Sequence, residues 1–116
     1  MNDERVTVEP ASHIRVAHGD QIVAETTRGF VIHERGLPDR YYVPREDIRA
    51  ELSPGTGAGT CPWKGEWKHL DVTLANKTIA NGAWTYFETK PVTTPTKDFV
   101  AFYETKFEVT SEPLRR

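Results

Sequence analysis

The stretch Thr60-Cys61-Pro62-Trp63-Lys64-Gly65 contains the residue types best suited to covalent chemistry in this sequence. Cys61 is the only cysteine among the 116 residues, and the thiolate is the nucleophilic form of its side chain. A neighbouring cation, from Lys64 or from Arg45, stabilises a thiolate, so the pattern makes Cys61 a candidate catalytic nucleophile. The alternative is a buried thiol that packs the loop as a small apolar group.

Arg45 is a second candidate, because it follows Pro44 at a predicted helix start. Its guanidinium can form paired hydrogen bonds with a carboxylate or phosphate of a ligand, or a structural ion pair with Glu46 or Asp47. Aromatic side chains with polar atoms often line concave sites. We therefore predict a pocket for a small anionic ligand, lined by Tyr41, Arg45, Cys61, Trp63, Lys64, Trp84 and Tyr86.

His69 and Asp71 form a third combination, since they stand two residues apart in a stretch with two-residue periodicity. On a strand, such residues share a face with Cα atoms about 6.5 Å apart, close enough for a carboxylate to orient an imidazole. With Cys61 nearby, the three side chains would form a catalytic triad. The alternative is an exposed histidine beside Lys68 on a solvated strand face.

The elements that must position these residues are mostly strands. Alternating apolar residues and regularly spaced turn signals predict seven to nine short strands, including hairpins over residues 13–24 and 30–43. Pro44 and the acidic residues after it predict one short helix near 44–52. The fold class is therefore all-β, a single compact domain of mostly antiparallel strands that form a sandwich or a partly closed barrel.

The chain has the length of one domain. We expect a mobile arm or edge strand over residues 1–12, one β-rich domain over 13–110 and a tail over 111–116. The glycine-rich stretch 53–60 lacks the Gly-Lys-Ser/Thr ending of a phosphate-binding loop, so a flexible loop is predicted there. Asn81-Gly82 predicts a turn, and Pro91 and Pro95 bracket a predicted threonine-rich loop.

Composition limits the partners. The net charge of −2 gives no basic field, so we predict no nucleic-acid partner. No apolar run approaches the roughly 20 residues that span a bilayer, and no membrane partner is predicted. The four histidines and one cysteine do not form the two ligand pairs of a zinc ribbon or finger, so we predict no metal and no cofactor. A single cysteine and an acidic start indicate a cytoplasmic protein. The oligomeric state stays open.

Four ordered motifs resemble the family known as domain of unknown function 427. They are Tyr41-Tyr42-Val43-Pro44-Arg45-Glu46-Asp47, Gly59-Thr60-Cys61-Pro62-Trp63-Lys64-Gly65, Trp84-Thr85-Tyr86 and Val100-Ala101-Phe102-Tyr103. The resemblance covers roughly residues 13–109 and implies a small β-rich domain without a settled biochemical role. Some members are labelled nucleotidyltransferases. That chemistry needs paired carboxylates to hold magnesium, and the sequence contains no Asp-x-Asp pair.

Three hypotheses follow from the sequence. The first is a β domain that binds a small anionic ligand in the predicted pocket. The second is an enzyme with Cys61 as nucleophile. The third is an interaction module that engages another protein, or a second copy, through exposed aromatic side chains or an open sheet edge.

Overall fold

A computed structural model of the chain describes residues 5–112, and most of these residues lie in antiparallel strands. The ten strands along this part of the chain are β1 (Val6–Pro10), β2 (His13–His18), β3 (Gln21–Thr26), β4 (Phe30–Glu34), β5 (Arg40–Tyr42), β6 (Glu51–Cys61), β7 (Gly65–Leu74), β8 (Lys77–Thr89), β9 (Val100–Phe102) and β10 (Glu108–Glu112).

The strands form three sheets, in the orders β1-β4-β5, β10-β2-β3 and β6-β7-β8-β9. Every neighbouring pair is antiparallel, which confirms the predicted all-β class, and β2–β3 and β4–β5 are the two predicted hairpins. Val43 and Val100 exchange backbone hydrogen bonds of 2.9 Å, so β5 and β9 join the first sheet to the four-stranded one. The described strands do not close into a barrel.

The four-stranded sheet has a separate apolar core on each face, because successive side chains of a strand point to opposite sides. One core packs this sheet against β2 and β3; among its buried members are Ile14, Val16, Val23, Leu70, Val72 and Phe102. The other packs it against β1, β4 and β5; its buried members are Val6, Ile32, Tyr42, Trp84, Tyr86 and Ala101. Trp84 and Tyr86 therefore lie on the second face of the four-stranded sheet, the one that packs against β1, β4 and β5.

The helix predicted near 44–52 is confined to a single 3-10 turn, Arg45–Asp47. Beyond that turn the backbone is extended, since Arg49 donates to the carbonyl oxygen of Val23 at 2.7 Å and Ile48 pairs with Ala24. These bonds with β3 replace the hydrogen bonds of a longer helix. A second 3-10 helix, Pro91–Thr96, lies where a threonine-rich loop was predicted.

The predictions for two glycine-containing segments are wrong. Residues 53–60, predicted as a flexible loop, belong to β6 and pair with β7, with an irregularity in register between Pro54 and Ala58. Asn81 and Gly82, predicted as a turn, lie inside β8; Asn81 instead has a φ of +52° at a shift in register between β7 and β8. In both segments, the strand pairing continues on either side of an irregularity that contains residues which usually interrupt strands.

The chain ends of the described region are also strands. Val6–Pro10, inside the predicted arm 1–12, forms β1 at the edge of its sheet, and β10 continues to Glu112, inside the predicted tail. Residues 1–4 and 113–116 of those predicted segments lie outside the described residues. Within 5–112, no helix has the length and apolar character needed to cross a membrane.

Candidate functional site

A cavity of about 170 Å³ opens on the second face of the four-stranded sheet. Trp67 on β7 lies opposite Tyr86 on β8, and Trp84 lies two residues before Tyr86, so the strand register places all three rings on one face. The residues that line the cavity are Arg40, Lys64, Trp67, Trp84, Tyr86 and Tyr103. The predicted residues Lys64, Trp84 and Tyr86 are thus brought together.

Trp84 forms the inner wall of the cavity. Its indole Nε1–H donates to the hydroxyl of Tyr42, 3.2 Å away and fully buried, and the two rings meet at 90°. The other side of Trp84 contacts Tyr103, with ring centres 4.5 Å apart. Burial raises the pKa of Tyr42, so its hydroxyl stays protonated. These contacts hold the indole in one orientation, as a binding wall requires.

Lys64 is fixed by the backbone that surrounds it. Its carbonyl oxygen accepts hydrogen bonds from the backbone N–H of Lys90 at 3.2 Å and from the Thr93 hydroxyl at 2.7 Å. The next residue, Gly65, has a φ of +130°, and a Cβ there would collide with the carbonyl oxygen of Glu88. Only glycine fits this turn, and the turn directs the Lys64 side chain inward.

The Lys64 ammonium is paired inside the protein. Its Nζ lies 2.6 Å from Glu34 Oε1, and both side chains are nearly buried. No group among the described residues forms a well-aligned hydrogen bond with that carboxylate oxygen, so the ammonium is the charge that compensates it. Lys64 Nζ also lies 5.6 Å from the centre of the Tyr86 ring. The charge of Lys64 is therefore already neutralised by Glu34.

Arg40 supplies the second cation of the cavity, and its own partner is looser. Arg40 Nη1 lies 3.5 Å from Glu104 Oε2, and more than a third of each side chain is exposed. Exposed ion pairs of this kind contribute about 0–1 kcal/mol. The guanidinium of Arg40 is therefore more available to a ligand than the ammonium of Lys64.

His69 lies behind Tyr103 on the same face. Its Nδ1 is 2.8 Å from the carbonyl oxygen of Thr56, and its Nε2 is 2.9 Å from the Tyr103 hydroxyl. The imidazole also contacts Trp67, with ring centres 4.9 Å apart. The pair of His69 and Tyr103 thus connects β7 to the end of β9, beside the cavity.

Alternating glycines of β6 make room for these rings. A Cβ at Gly57 would lie 2.8 Å from His69 Nδ1, and a Cβ at Gly59 would lie 2.8 Å from the Trp67 ring. Gly57 also has a φ of +102°, which side-chain-bearing residues rarely adopt. The glycine-rich segment therefore serves as a surface on which Trp67 and His69 lie. The glycines of this segment recur at every second position, a spacing that is typical of one face of a strand.

The predicted nucleophile Cys61 is half-buried and packs against the second core. It does not line the cavity, although its thiol contacts Tyr86, which does. Burial is the main reason that the pKa of Tyr86 is raised, and Tyr42, Cys61 and Glu34 add to the effect. Cys61 thus supports one wall from behind.

The predicted combination of Cys61, His69 and Asp71 is not assembled as a triad. Asp71 Oδ1 accepts the backbone N–H of Asn81 at 2.8 Å, while both ring nitrogens of His69 have the other partners described above. Cys61 stands opposite Gly65 at the far end of the β6–β7 pair from Asp71. The carboxylate shapes the irregular part of β8 rather than orienting the imidazole.

Arg45 lies outside the cavity. Its Nε donates to the backbone carbonyl oxygen of Asp98 at 3.1 Å, beside a separate surface depression. The ion pair considered for it with Asp47 is made by Arg28, whose Nη2 lies 3.2 Å from that carboxylate. In this structure Arg45 thus connects the 3-10 turn to the segment before β9.

Two further residues of the predicted pocket also lie elsewhere. Trp63 is 46% exposed, and the guanidinium of Arg5 lies 4.4 Å from the centre of its ring. Tyr41 is partly buried against the first core, because it alternates with Tyr42, which enters the second. Neither side chain lines the cavity.

Sequence reasoning missed three lining residues, Arg40, Trp67 and Tyr103. Arg40 directly precedes the first of the four motifs, and Tyr103 is the last residue of the fourth. The motifs therefore indicate the neighbourhood of both residues. Trp67 shares a strand face with His69, and that periodicity was visible in the sequence. What the sequence lacked was the strand order that brings β5, β7, β8 and β9 to one site.

The fold and the site define an antiparallel β domain with a small aromatic cavity that contains two cations. The chain belongs to the family described as domain of unknown function DUF427; the sequence model of this family, named NTP_transf_9, matches residues 7–113. This match confirms the resemblance noted in the sequence. A comparison with curated proteins finds no match.

Proposed function

We propose that this domain binds a small anionic ligand in the cavity between β5, β7, β8 and β9. Rings of Trp67, Trp84 and Tyr103 would contact the apolar part of the ligand, and Arg40 would bind its anionic group. The observation that carries the proposal is a guanidinium held loosely, at 3.5 Å from Glu104, at the rim of an aromatic cavity.

The anion-binding role belongs to Arg40 rather than to Lys64. Lys64 is compensated by Glu34 at 2.6 Å, and separating a buried pair leaves an uncompensated charge. Arg40 can exchange its exposed contact with Glu104 for a ligand at little cost. Its planar guanidinium also matches a carboxylate or phosphate with two parallel hydrogen bonds.

The volume of the cavity matches about one ring of a ligand. Pockets for drug-sized molecules enclose roughly 300–1,000 Å³, and an apolar cavity of about 150 Å³ holds benzene. The present cavity is open to solvent and has a volume of about 170 Å³. A single-ring carboxylate therefore represents the ligand class, and benzoate is a suitable probe.

The proposal is tested by titrating the ¹⁵N-labelled protein with benzoate and with benzamide, its neutral analogue. We expect benzoate to shift the indole N–H signals of Trp67 and Trp84, which line the cavity, and benzamide to bind at least about tenfold more weakly. Arg40→Met should weaken benzoate binding by about 10- to 100-fold. Glu104→Gln, which frees Arg40, should strengthen it.

Arg45→Met is the matched control, because Arg45 bonds to the Asp98 carbonyl outside the cavity. We expect this variant to bind benzoate like the unmodified protein. If Arg45→Met weakens binding and Arg40→Met does not, the anion site lies at the originally predicted position and this proposal is wrong. The same conclusion follows if benzoate shifts no signal of the lining residues.

A further inference from the structure

The partners of His69 fix the direction of the Tyr103 hydroxyl. His69 Nδ1 lies 2.8 Å from the Thr56 carbonyl oxygen, which can only accept, so Nδ1 carries the proton. The other nitrogen of a neutral imidazole has a lone pair, and the Tyr103 oxygen lies 2.9 Å from it. Tyr103 therefore donates its hydroxyl proton to His69 Nε2.

A second set of hydrogen bonds holds the Thr56 carbonyl in place. The backbone N–H of Thr56 donates to Asn81 Oδ1 at 2.9 Å, and Asn81 Nδ2 donates to the Thr56 hydroxyl at 2.9 Å. The backbone of Asn81 is in turn bonded to Asp71. The proton position on His69 is therefore set by backbone and amide groups that do not titrate near neutral pH.

Tyr103 also lines the cavity, where Trp84 contacts its ring. Because its proton is used by His69, the phenolic oxygen has only lone pairs left for a ligand. Burial raises the pKa of Tyr103, so the hydroxyl keeps its proton and, with a neutral imidazole, directs it to His69 Nε2. A ligand atom that meets this oxygen must be a hydrogen-bond donor.

We propose that His69 and Tyr103 make the cavity selective for anions that carry a hydrogen-bond donor, with hydroxy-substituted aromatic carboxylates as the representative class. This inference rests on the proposed function, since it concerns the ligand of the same cavity. Tyr103 contacts the ligand, whereas His69 does not line the cavity and is a positioning residue that acts through Tyr103.

The first arm of the test needs no ligand. Long-range ¹H–¹⁵N spectra of the imidazole at about pH 8.5 report which nitrogen of a neutral histidine carries the proton. We expect His69 to show a protonated Nδ1 and a hydrogen-bonded acceptor Nε2, and Tyr103→Phe to change the Nε2 signal alone. A proton on Nε2 overturns the inference.

The second arm measures selectivity. The probes are 2-, 3- and 4-hydroxybenzoate, their methoxy counterparts and benzoate. We expect at least one hydroxy isomer to bind about tenfold more tightly than its methoxy counterpart, because only the hydroxyl can donate to Tyr103. Tyr103→Phe should remove this preference, measured as the ratio of the hydroxy and methoxy affinities within that variant. Simple exclusion of the larger methoxy group would leave the preference intact in that variant.

His69→Phe keeps a ring over the glycines of β6 and removes the acceptor for the Tyr103 proton. The freed hydroxyl can rotate, so the preference for hydroxy probes should fall while benzoate still binds. Equal binding of hydroxy and methoxy probes, in a protein that binds benzoate through Arg40, overturns this inference and leaves the proposed function standing. If neither benzoate nor any of its hydroxy and methoxy derivatives binds, both this inference and the proposed function are wrong.

Discussion

The Lys64 ammonium lies 2.6 Å from Glu34 Oε1, and this contact joins the turn between β6 and β7 to the end of β4. Glu34 ends a strand of the β1-β4-β5 sheet, Lys64 lies in a turn of the four-stranded sheet, and little of either side chain is exposed. The pair therefore connects the two sheets at the cavity while it neutralises a charge that would otherwise be buried alone.

Removing one partner of this pair should be more costly than removing both. Lys64→Met leaves the Glu34 carboxylate uncompensated, so we expect the free energy of unfolding in urea to fall by about 3–5 kcal/mol. Combining it with Glu34→Leu should recover most of that loss. The exposed pair is the control: Arg40→Met should cost less than about 1 kcal/mol. Equal losses in the single and double variants would contradict this account of the pair.

A methyl group at Gly57 should disturb the imidazole of His69. Gly57→Ala combines a φ of +102° with a Cβ 2.8 Å from His69 Nδ1, and we expect destabilisation of about 2–4 kcal/mol. Gly36→Ala is the matched control, since Gly36 has a φ of +83° and open space around it. The unfolding free energy lost in Gly57→Ala beyond that lost in Gly36→Ala measures the contact between the added methyl group and the imidazole. Unchanged His69 imidazole signals in Gly57→Ala would show that the ring does not lie on the strand.

His33 should make stability depend on pH. Its Nδ1 lies 2.8 Å from Asp39 and its Nε2 3.3 Å from Glu9, and only an imidazolium can donate to both carboxylates. The hydrogen bond to Asp39 is the main cause that raises the pKa of His33 above its ordinary value of 6.5. The stabilisation is therefore complete below about pH 6.5 and is lost as the pH rises through the raised value.

The measurement for His33 compares urea unfolding at about pH 6 and about pH 8.5. The change in the free energy of unfolding that is due to His33 should be less than about 1 kcal/mol between these pH values, because the imidazole is partly exposed. His33→Gln should abolish that change. His18→Gln is the control, since the His18 ring packs against Phe107. A difference that persists in His33→Gln would assign the pH dependence to another group.

Cys61 should react slowly in the folded protein. The thiol is half-buried among the second-core residues and contacts Tyr86, so access limits its alkylation. We expect iodoacetamide to modify it several-fold more slowly in folded than in urea-unfolded protein at the same pH. Faster reaction in the folded state would revive the hypothesis that Cys61 is a nucleophile, because it would require an activated and accessible thiolate.

Periodicity predicted the strands of this fold because burial on one face imposes a two-residue repeat. Leu70, Val72 and Leu74, at alternate positions of β7, are all buried. The glycine-rich segment is predicted as a loop because glycine favours turns and loops, although its glycines recur at every second position. Its pairing with β7 depends on residues distant in the sequence, and local propensity does not contain that information.

Only part of the lining of the candidate cavity could be predicted, for a related reason. Lys64, Trp84 and Tyr86 were identified by residue type and lie at one cavity, whereas Arg45 and Trp63 have the same chemistry but lie elsewhere. Residue type indicates what a side chain can bind, and strand order decides which side chains meet. The sequence contains no signal for the bridge between β5 and β9 that brings Arg40 near Tyr103.

The irregular course of β6 has a consequence for solubility. β6 is the outermost strand of its sheet, and a long regular edge would offer its free backbone groups to the strands of other molecules. Pro54 lacks an N–H, and the register shifts between Pro54 and Ala58, where Gly57 turns the chain through a positive φ. The irregularity that makes room for the His69 ring therefore also interrupts a template on which aggregates could grow.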